Sequence, residues 1–404
     1  MQYRFMKSTQ DNLSALGFGC MRLPEKNRKI DFKRAEAQLR YAIDQGVNYL
    51  DTAYMYHFGE SEPFLGQALS GGLREKVKLA TKLTPFSVKS ESDMEGMLNN
   101  QLQRLRTDRI DYYMLQAMDE RLWRRLNKFD VLRFLDRIKA DGRIINVGFS
   151  FHGDQETFKE IVDAYNWQFC QIQYNYLDEL NQAGTEGLEY AAAKGLGVII
   201  MEPLRGGSLG DNLPPAIAAI FKESGLPWSP AEWALRWIWN RPEVSVVLSG
   251  MNDENHIREN IRAAGDALPN SLTKDQLQVI EKAKAAYNAM MSIGCTACQY
   301  CMPCPSGVNI PMCFEMYNRR TFFMESKFEC MVKYGLMLGG LEKDKTKRGF
   351  ASQCSECGKC ETKCPQHLKI PDLLKDVQGE FENVMLRLFL IYGKIFFARL
   401  KNRR

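Results

Sequence analysis

The feature that most constrains the fold is a rhythm in the first 280 residues, where short apolar runs alternate with amphipathic helical stretches. Asp31 reads as an N-cap. Phe32, Ala35, Leu39, Ala42 and Ile43 follow at helical spacing, and Gly46 supplies the stop. A run over Val47–Leu50 comes next and ends at Asp51. Residues 77–83 read as a strand, and Met94, Met97, Leu98, Leu102 and Leu105 as one helix face. Ile110–Leu115 reads as a strand, Val131–Ile138 as a helix and Ile144–Phe149 as a strand. Asp154 then caps a helix carrying Phe158, Ile161, Val162 and Tyr165. Strands follow at Phe169–Tyr174, Val198–Met201 and Val244–Leu248, and an initial strand near Leu13–Phe18 brings the count to eight. Eight strand–helix units in about 250 residues suit a closed, parallel (β/α)8 TIM barrel, an α/β fold. The alternative is an open doubly wound sheet. Its G-x-G-x-x-G fingerprint is missing, since Gly17-Phe18-Gly19 has two glycines and no helix directly after them.

A barrel of this kind gathers its chemistry at the C-terminal ends of the strands. That rule selects Asp51, Lys82, Gln116, Ser150, Gln171 and Gln173, Glu202 and Ser249. Composition narrows the function classes. Apolar residues make up 45% and charged residues 25%, as in an ordinary globular chain rather than a disordered one. The net charge of +5 is spread along the sequence and gives no basic stripe for nucleic acid. The N-terminal MQYRFMKSTQ has no apolar signal core, so a cytoplasmic protein is expected.

The segments LGFGCMRLP (16–24), DTAYMY (51–56), ATKL (80–83), DYYMLQ (111–116), QIQYN (171–175) and SGMN…REN (249–260) resemble an aldo-keto reductase, in order and spacing, over roughly the first 280 residues. The resemblance implies hydride transfer between NADP(H), or NAD(H), and a small aldehyde or ketone. Reduction of a carbonyl then needs a proton donor at the oxygen. Tyr56 matches the acid, Lys82 the cation expected to lower its phenol from the usual value near about 10, and Asp51 the partner of Lys82. Most members of the family carry histidine where this chain has Gln116, whose amide can donate a hydrogen bond but cannot transfer a proton. GFSFH (148–152) stands where a Ser-Asn pair usually holds the nicotinamide carboxamide, leaving Ser150 and Gln171 for that task. Met201 stands at the position of a stacking aromatic. Leu204, Arg205 and Gly206 belong to a glycine-rich loop able to approach a pyrophosphate. Ser249 and Gly250 precede a helix near Asp253 whose N-terminus offers a phosphate site, and Asn260, with Glu259, matches adenine contacts. Gly250 and His256 occupy positions where some members read the 2′-phosphate.

The cysteines are distributed unevenly. Only Cys20 and Cys170 of the twelve precede residue 295. Cys295, Cys298, Cys301 and Cys304 form one run, and Cys354, Cys357, Cys360 and Cys364 another, each ending in Cys-Pro. The second has the C-x2-C-x2-C-x3-C-P spacing of bacterial ferredoxins, in which the fourth cysteine reaches the other cluster. The expectation is two [4Fe–4S] clusters, one on Cys295, Cys298, Cys301 and Cys364, the other on Cys354, Cys357, Cys360 and Cys304. Zinc held by four cysteines per site is the alternative, though it normally pairs two separated C-x2-C units. Cys20, Cys170, Cys313 and Cys330 are expected as buried thiols. Asn309-Ile310-Pro311 and Lys369-Ile370-Pro371 follow the two runs in parallel. This half resembles a small, mainly helical dicluster ferredoxin domain, and its fusion to a reductase barrel is a known family type.

The expected organisation is a barrel over 1–283, an iron–sulfur domain over 284–380 and an apolar, basic helix over 381–404. Arg387, Gly393 and Lys394 interrupt that last stretch, so it is not expected to span a membrane. It suits packing on the barrel or a second subunit, or contact with an anionic membrane surface. Two functions are carried forward. One is an NAD(P)H-dependent reductase of a small carbonyl compound. The other is an electron-transfer or redox-sensing protein with a partner protein and a nucleotide-binding barrel.

Overall fold

The computed structural model describes residues 1–27, 29–211, 213–322, 326–340 and 348–401, with the backbone alone over 393–401. Eight parallel strands close a barrel: β1 (Leu16–Gly19), β2 (Tyr49–Asp51), β3 (Lys78–Leu83), β4 (Ile110–Met118), β5 (Ile144–Phe151), β6 (Phe169–Gln173), β7 (Gly197–Met201) and β8 (Val244–Ser249). They run in sequence order around the barrel. The ring closes where Val247, Leu248 and Ser249 pair with Leu16, Gly17 and Phe18. Closure leaves no strand edge unpaired.

The helices between strands follow local signals. Asp31 accepts from the Arg34 N–H and starts Phe32–Asp44, Ser90 caps Glu91–Leu105, and Asp154 caps Gln155–Ala164. Each turns its apolar stripe onto the barrel, with Leu39, Leu98, Phe158 and Ile161 fully buried. Two helices follow β4, Glu120–Asn127 and Val131–Ala140, where the periodicity predicts only the second. Tyr165, predicted on a helix face, lies just past the helix end.

The expected first strand, Leu13–Phe18, divides into two elements. Asp11–Ser14 pairs antiparallel with Tyr3–Met6, and β1 begins only at Leu16. The reason is that this hairpin stoppers the N-terminal end of the barrel. Met6 packs with Tyr49, Tyr112 and Phe169, whose rings meet edge to face with centroids 5.1 and 5.0 Å apart. A Cβ on Gly197 would fall 2.3 Å from the Met6 sulfur, so a glycine at the start of β7 makes room for the stopper. The Arg4 guanidinium donates to the carbonyls of Arg241, Ala267, Val244 and Trp239. The Tyr112 hydroxyl donates to Asp11 at 2.8 Å.

The chain forms two compact units, Met1–Leu204 with Trp228–Leu277, and Arg205–Pro227 with Gln278–Arg404. The second contains the helices Pro215–Glu223, Ile310–Phe322, Lys327–Met337, Ile370–Phe381 and Val384–Lys401. Its core joins Ile310, Phe314, Met331, Tyr334, Val377 and Phe381, with most of the clustered cysteines packed on it. Cys313 and Cys330 are buried here, as Cys20 and Cys170 are in the barrel unit. Among the described residues no helix is long and apolar enough to cross a membrane.

If the hairpin is a structural stopper, Met6→Ala should lower stability by about 2–4 kcal/mol through the cavity it leaves. Denaturant unfolding followed by tryptophan fluorescence would measure this. The turnover of the folded fraction should be unchanged, because the substitution lies at the barrel end opposite Asp51 and Lys82.

Candidate active site and cluster sites

The ends of β2 and β3 bring two opposite charges together inside the barrel. Lys82 Nζ donates to Asp51 Oδ1 at 2.6 Å and to the Thr52 carbonyl at 2.7 Å, and both side chains are buried. The same ammonium lies 4.8 Å from the centroid of the Tyr56 ring, over its face. Burial pushes the Asp51 carboxyl up and the Lys82 ammonium down, each opposed by the charge of the other. Burial also pushes the Tyr56 phenol well above its usual range, and Asp51 adds to the rise. The expectation that Lys82 lowers this phenol is therefore corrected. The cation lies over the ring, and its charge is offset by the carboxylate bonded to it.

Tyr56 sits on a loop held from several sides. The Thr52 and Ser61 hydroxyls are 2.8 Å apart, and Arg104 donates to the Gly59 carbonyl while stacking on the Tyr54 ring. His57 and Phe58 both adopt left-handed backbone angles, with φ of 51° and 54°, which side chains other than glycine seldom do. The His57 ring compensates. Its Nε2 accepts from the Leu23 N–H at 3.0 Å, which leaves Nδ1 protonated to donate to Glu25 at 2.9 Å.

Gln116, near the end of β4, is buried, and its Oε1 accepts from the Thr84 hydroxyl at 2.8 Å. That bond sets the amide with its NH2 end as the available donor. Ser150 is differently engaged. Its hydroxyl accepts from Ala117 N at 2.7 Å, holding an irregularity in the β4–β5 pairing where Ala117 has φ 56°. Phe151 points into an aromatic cluster with Phe149 and Phe158, and His152 is buried against Gln182. Gln171 on β6 is 2% exposed, and its Oε1 has no hydrogen-bond partner. An orphaned buried acceptor calls for a donor from a ligand, and a carboxamide NH2 matches it. Met201, at the end of β7, is half-buried against the barrel core, and Leu204 is half-buried beyond it.

At β8 the Ser249 hydroxyl accepts from Asn260 Nδ2 at 3.1 Å, and Asn260 is itself 3% exposed. The asparagine predicted to face an adenine thus ties its helix, Glu254–Ala264, to the strand end. The N-terminus of that helix carries acid of its own. Asp253 accepts from Asn255 N, and Glu254 is paired with Arg34 at 2.6 Å. Gly250 is exposed, and a Cβ there would lie 3.3 Å from the Cβ and Cδ of Arg22. Arg22 makes no ion pair or hydrogen bond among the described residues. Sequence reasoning missed this arginine; its one signal was the arginine inside LGFGCMRLP. Gly206 falls in the other unit. A Cβ on it would lie 2.4 Å from the Thr296 carbonyl, so this glycine permits a close approach of two backbone segments.

In the second unit, Cys295, Cys298, Cys301 and Cys364 line one cavity with Pro311, Phe314 and Pro365. Cys304, Cys354, Cys357 and Cys360 line another with Pro305, Pro371 and Leu374. Ile310 borders both. Each set takes three cysteines from one run and the last of the other. Burial and the neighbouring sulfurs push the Cys301 thiol up to about 12. Among the described residues no three cysteine, histidine or acidic side chains converge on a point as a lone metal ion requires.

Comparison with known proteins agrees with both halves. The model of the aldo/keto reductase family matches residues 15–285, and that of the 4Fe-4S dicluster domain matches residues 294–369. The chain is 26% identical over 316 residues to the uncharacterized oxidoreductase YrpG of Bacillus subtilis, covering 68% of this chain and 94% of that one. Among solved structures, the holo form of an aldo-keto reductase from Bacillus halodurans superposes with a TM-score of 0.60 at 26% identity, over 70% of this chain and 96% of that chain. An aldo/keto reductase from Klebsiella pneumoniae in complex with NADP and acetate gives 0.57 at 25% identity, over 70% and 94%. With its closed eight-stranded barrel and the family match over residues 15–285, the chain belongs to the aldo/keto reductase family of oxidoreductases, and it carries a 4Fe-4S dicluster domain after the barrel.

Proposed function

We propose that this chain reduces a small aldehyde or ketone with NADPH or NADH in the cytoplasm, and that it holds two [4Fe–4S] clusters. The observation that carries the reading is the buried Lys82–Asp51 pair lying against the face of Tyr56 at the strand ends. A nicotinamide, when bound, supplies the hydride. The chain's own residues supply the rest. Tyr56 gives its phenolic proton to the carbonyl oxygen. Lys82 is held by Asp51 and Thr52 so that its charge stays beside the oxygen as negative charge develops there. The Gln116 NH2, set by Thr84, orients the carbonyl but moves no proton. Gln171 Oε1 would accept from the carboxamide NH2 of a bound nicotinamide, and Met201 would pack against it. Ser249, Gly250 and Leu204 form the remaining wall. Arg22, lying over Gly250, answers the cofactor's phosphates and offsets the acid at the neighbouring helix start.

The eight clustered cysteines divide as two sets of four, and this supports the pairing of Cys364 with the first run and Cys304 with the second. A bound cluster carries one electron at a time. Cys357 is exposed, and that favours the second reading as an added activity, in which the second cluster exchanges electrons with a partner protein.

Four outcomes test these assignments. Tyr56→Phe should lower kcat for carbonyl reduction by about 10²–10⁴ while NADPH binding persists; unchanged turnover removes Tyr56 as the acid. Because its pKa is raised, the phenol stays protonated below that value. Steady-state rates should therefore show no alkaline loss due to Tyr56 up to about pH 9. Arg22→Ala should weaken NADPH at least about tenfold in a fluorescence titration without substrate, the worth of one charge-assisted contact. Anaerobically purified protein should contain about eight irons and eight sulfides per chain, and Cys364→Ser should lose about four of each. Zinc in their place would defeat the cluster assignment.

A further inference from the structure

The C-terminal helix Val384–Lys401 has one face built into the cluster module and another left exposed among the described residues. Leu386 and Leu390 belong to the same core as Ile310, Tyr334 and Phe381, on which Cys354, Cys360 and Cys364 pack. They close on Gly335 and Gly340, where an added Cβ would lie 2.6 Å from their methyl groups. Glu382 secures the helix start, accepting from the Tyr334 hydroxyl at 2.5 Å and from Ser352 N at 3.0 Å. The helix is therefore part of the module rather than a loose tail.

On the other side Val384, Met385, Leu388, Ile391 and Tyr392 are each between 50% and 71% exposed. Their spacing of i, i+1, i+4, i+7 and i+8 places them on one stripe. The neighbouring helix Lys327–Met337 adds exposed Leu336 and Met337 next to Gly335. An apolar surface of this extent marks a contact site. Charge decides what it contacts. From residue 383 to 404 the sequence has six cations, Arg387, Lys394, Arg399, Lys401, Arg403 and Arg404, and no aspartate or glutamate. A second copy would set two such segments together with no acid in either to pair them. An anionic bilayer meets both features, taking the apolar stripe below its headgroups and the cations among its phosphates. No described helix is long and apolar enough to cross, so the helix lies along the surface.

We propose that this face seats the cluster module on an anionic phospholipid membrane. The proposal is independent of the carbonyl-reductase reading. Its test uses the full chain, purified anaerobically, and sedimentation with vesicles of phosphatidylcholine alone or with about a third phosphatidylglycerol. Binding is expected to the anionic vesicles, at least about tenfold above the neutral ones, and to fall with salt. Leu388→Glu with Ile391→Glu should reduce it at least about tenfold with iron content unchanged. Lys401→Gln with Arg403→Gln leaves the apolar stripe intact and should flatten the salt dependence. Failure of the wild-type chain to bind, or equal binding to both vesicles, overturns the proposal. So does a wild-type dimer that the glutamate variant splits into monomers without vesicle binding, which would make the face an interface between copies.

Discussion

The buried pair of Lys82 and Asp51 is the constraint around which the catalytic end of the barrel is organised. Two charges removed from water are tolerated only when they meet closely and their remaining hydrogen-bonding capacity is met. The parallel pairing of β2 with β3 brings the Asp51 carboxylate and the Lys82 ammonium within 2.6 Å, with the Thr52 carbonyl in reach of the same ammonium. A further layer keeps β3 in place, where Glu62 accepts from Thr81 and Gln101 and is paired with Arg104. Arg104 then reaches the carbonyl of Gly59 and so fixes the loop that carries Tyr56. The left-handed residues His57 and Phe58 in that loop store strain that only such surrounding bonds can hold. Ion pair, loop and proton donor thus form one mechanical unit.

Much of this was legible in the sequence because it rests on period and spacing. The eightfold alternation was enough for the barrel, and the strand-end rule picked out Asp51, Lys82, Gln116 and Gln171 before any relative was considered. The cysteine spacing anticipated two sets of four with exchanged last members, which is how the two cavities are lined. What escaped depends on long-range partners. Nothing local to Leu13–Phe18 tells that half of it pairs with Tyr3–Met6 to stopper the barrel. Nothing near Ser150 reveals that its hydroxyl holds Ala117. Asn260 and Ser249 are eleven positions apart, and the bond that draws both inward is set by how the last helix docks on β8. Arg22 is an ordinary surface arginine until Gly250 is found beneath it.

The shift of Tyr56 carries a mechanistic consequence. A phenol held above its usual range keeps its proton through neutral pH, so in the proposed reduction it would be available as a donor and its acidity would come from the reaction itself. Charge developing on the carbonyl oxygen raises that oxygen's basicity, and proton transfer becomes favourable as the hydride arrives. In the proposed reduction Lys82 would act on the oxyanion more than on the resting phenol. Gln116 fits this division of labour, because an amide donor steadies the oxygen without competing as an acid.

Electron count separates the two halves of the chain. A hydride moves a pair of electrons with a proton's mass, whereas an iron–sulfur cluster passes one electron, so clusters would have no direct part in the proposed Tyr56 step. The cysteine cavities share Ile310 as a common wall, which fits the proposed pair of clusters, and one of them is lined by the exposed Cys357. The helix that completes the module's core also exposes an apolar, basic-flanked face. Partners for the second half are therefore sought through its own surface, at the exposed cluster and along that helix. In the proposed reduction the barrel would take neither a proton nor a stabilising charge from it, since Tyr56, Lys82 and Asp51 all lie within residues 51–82.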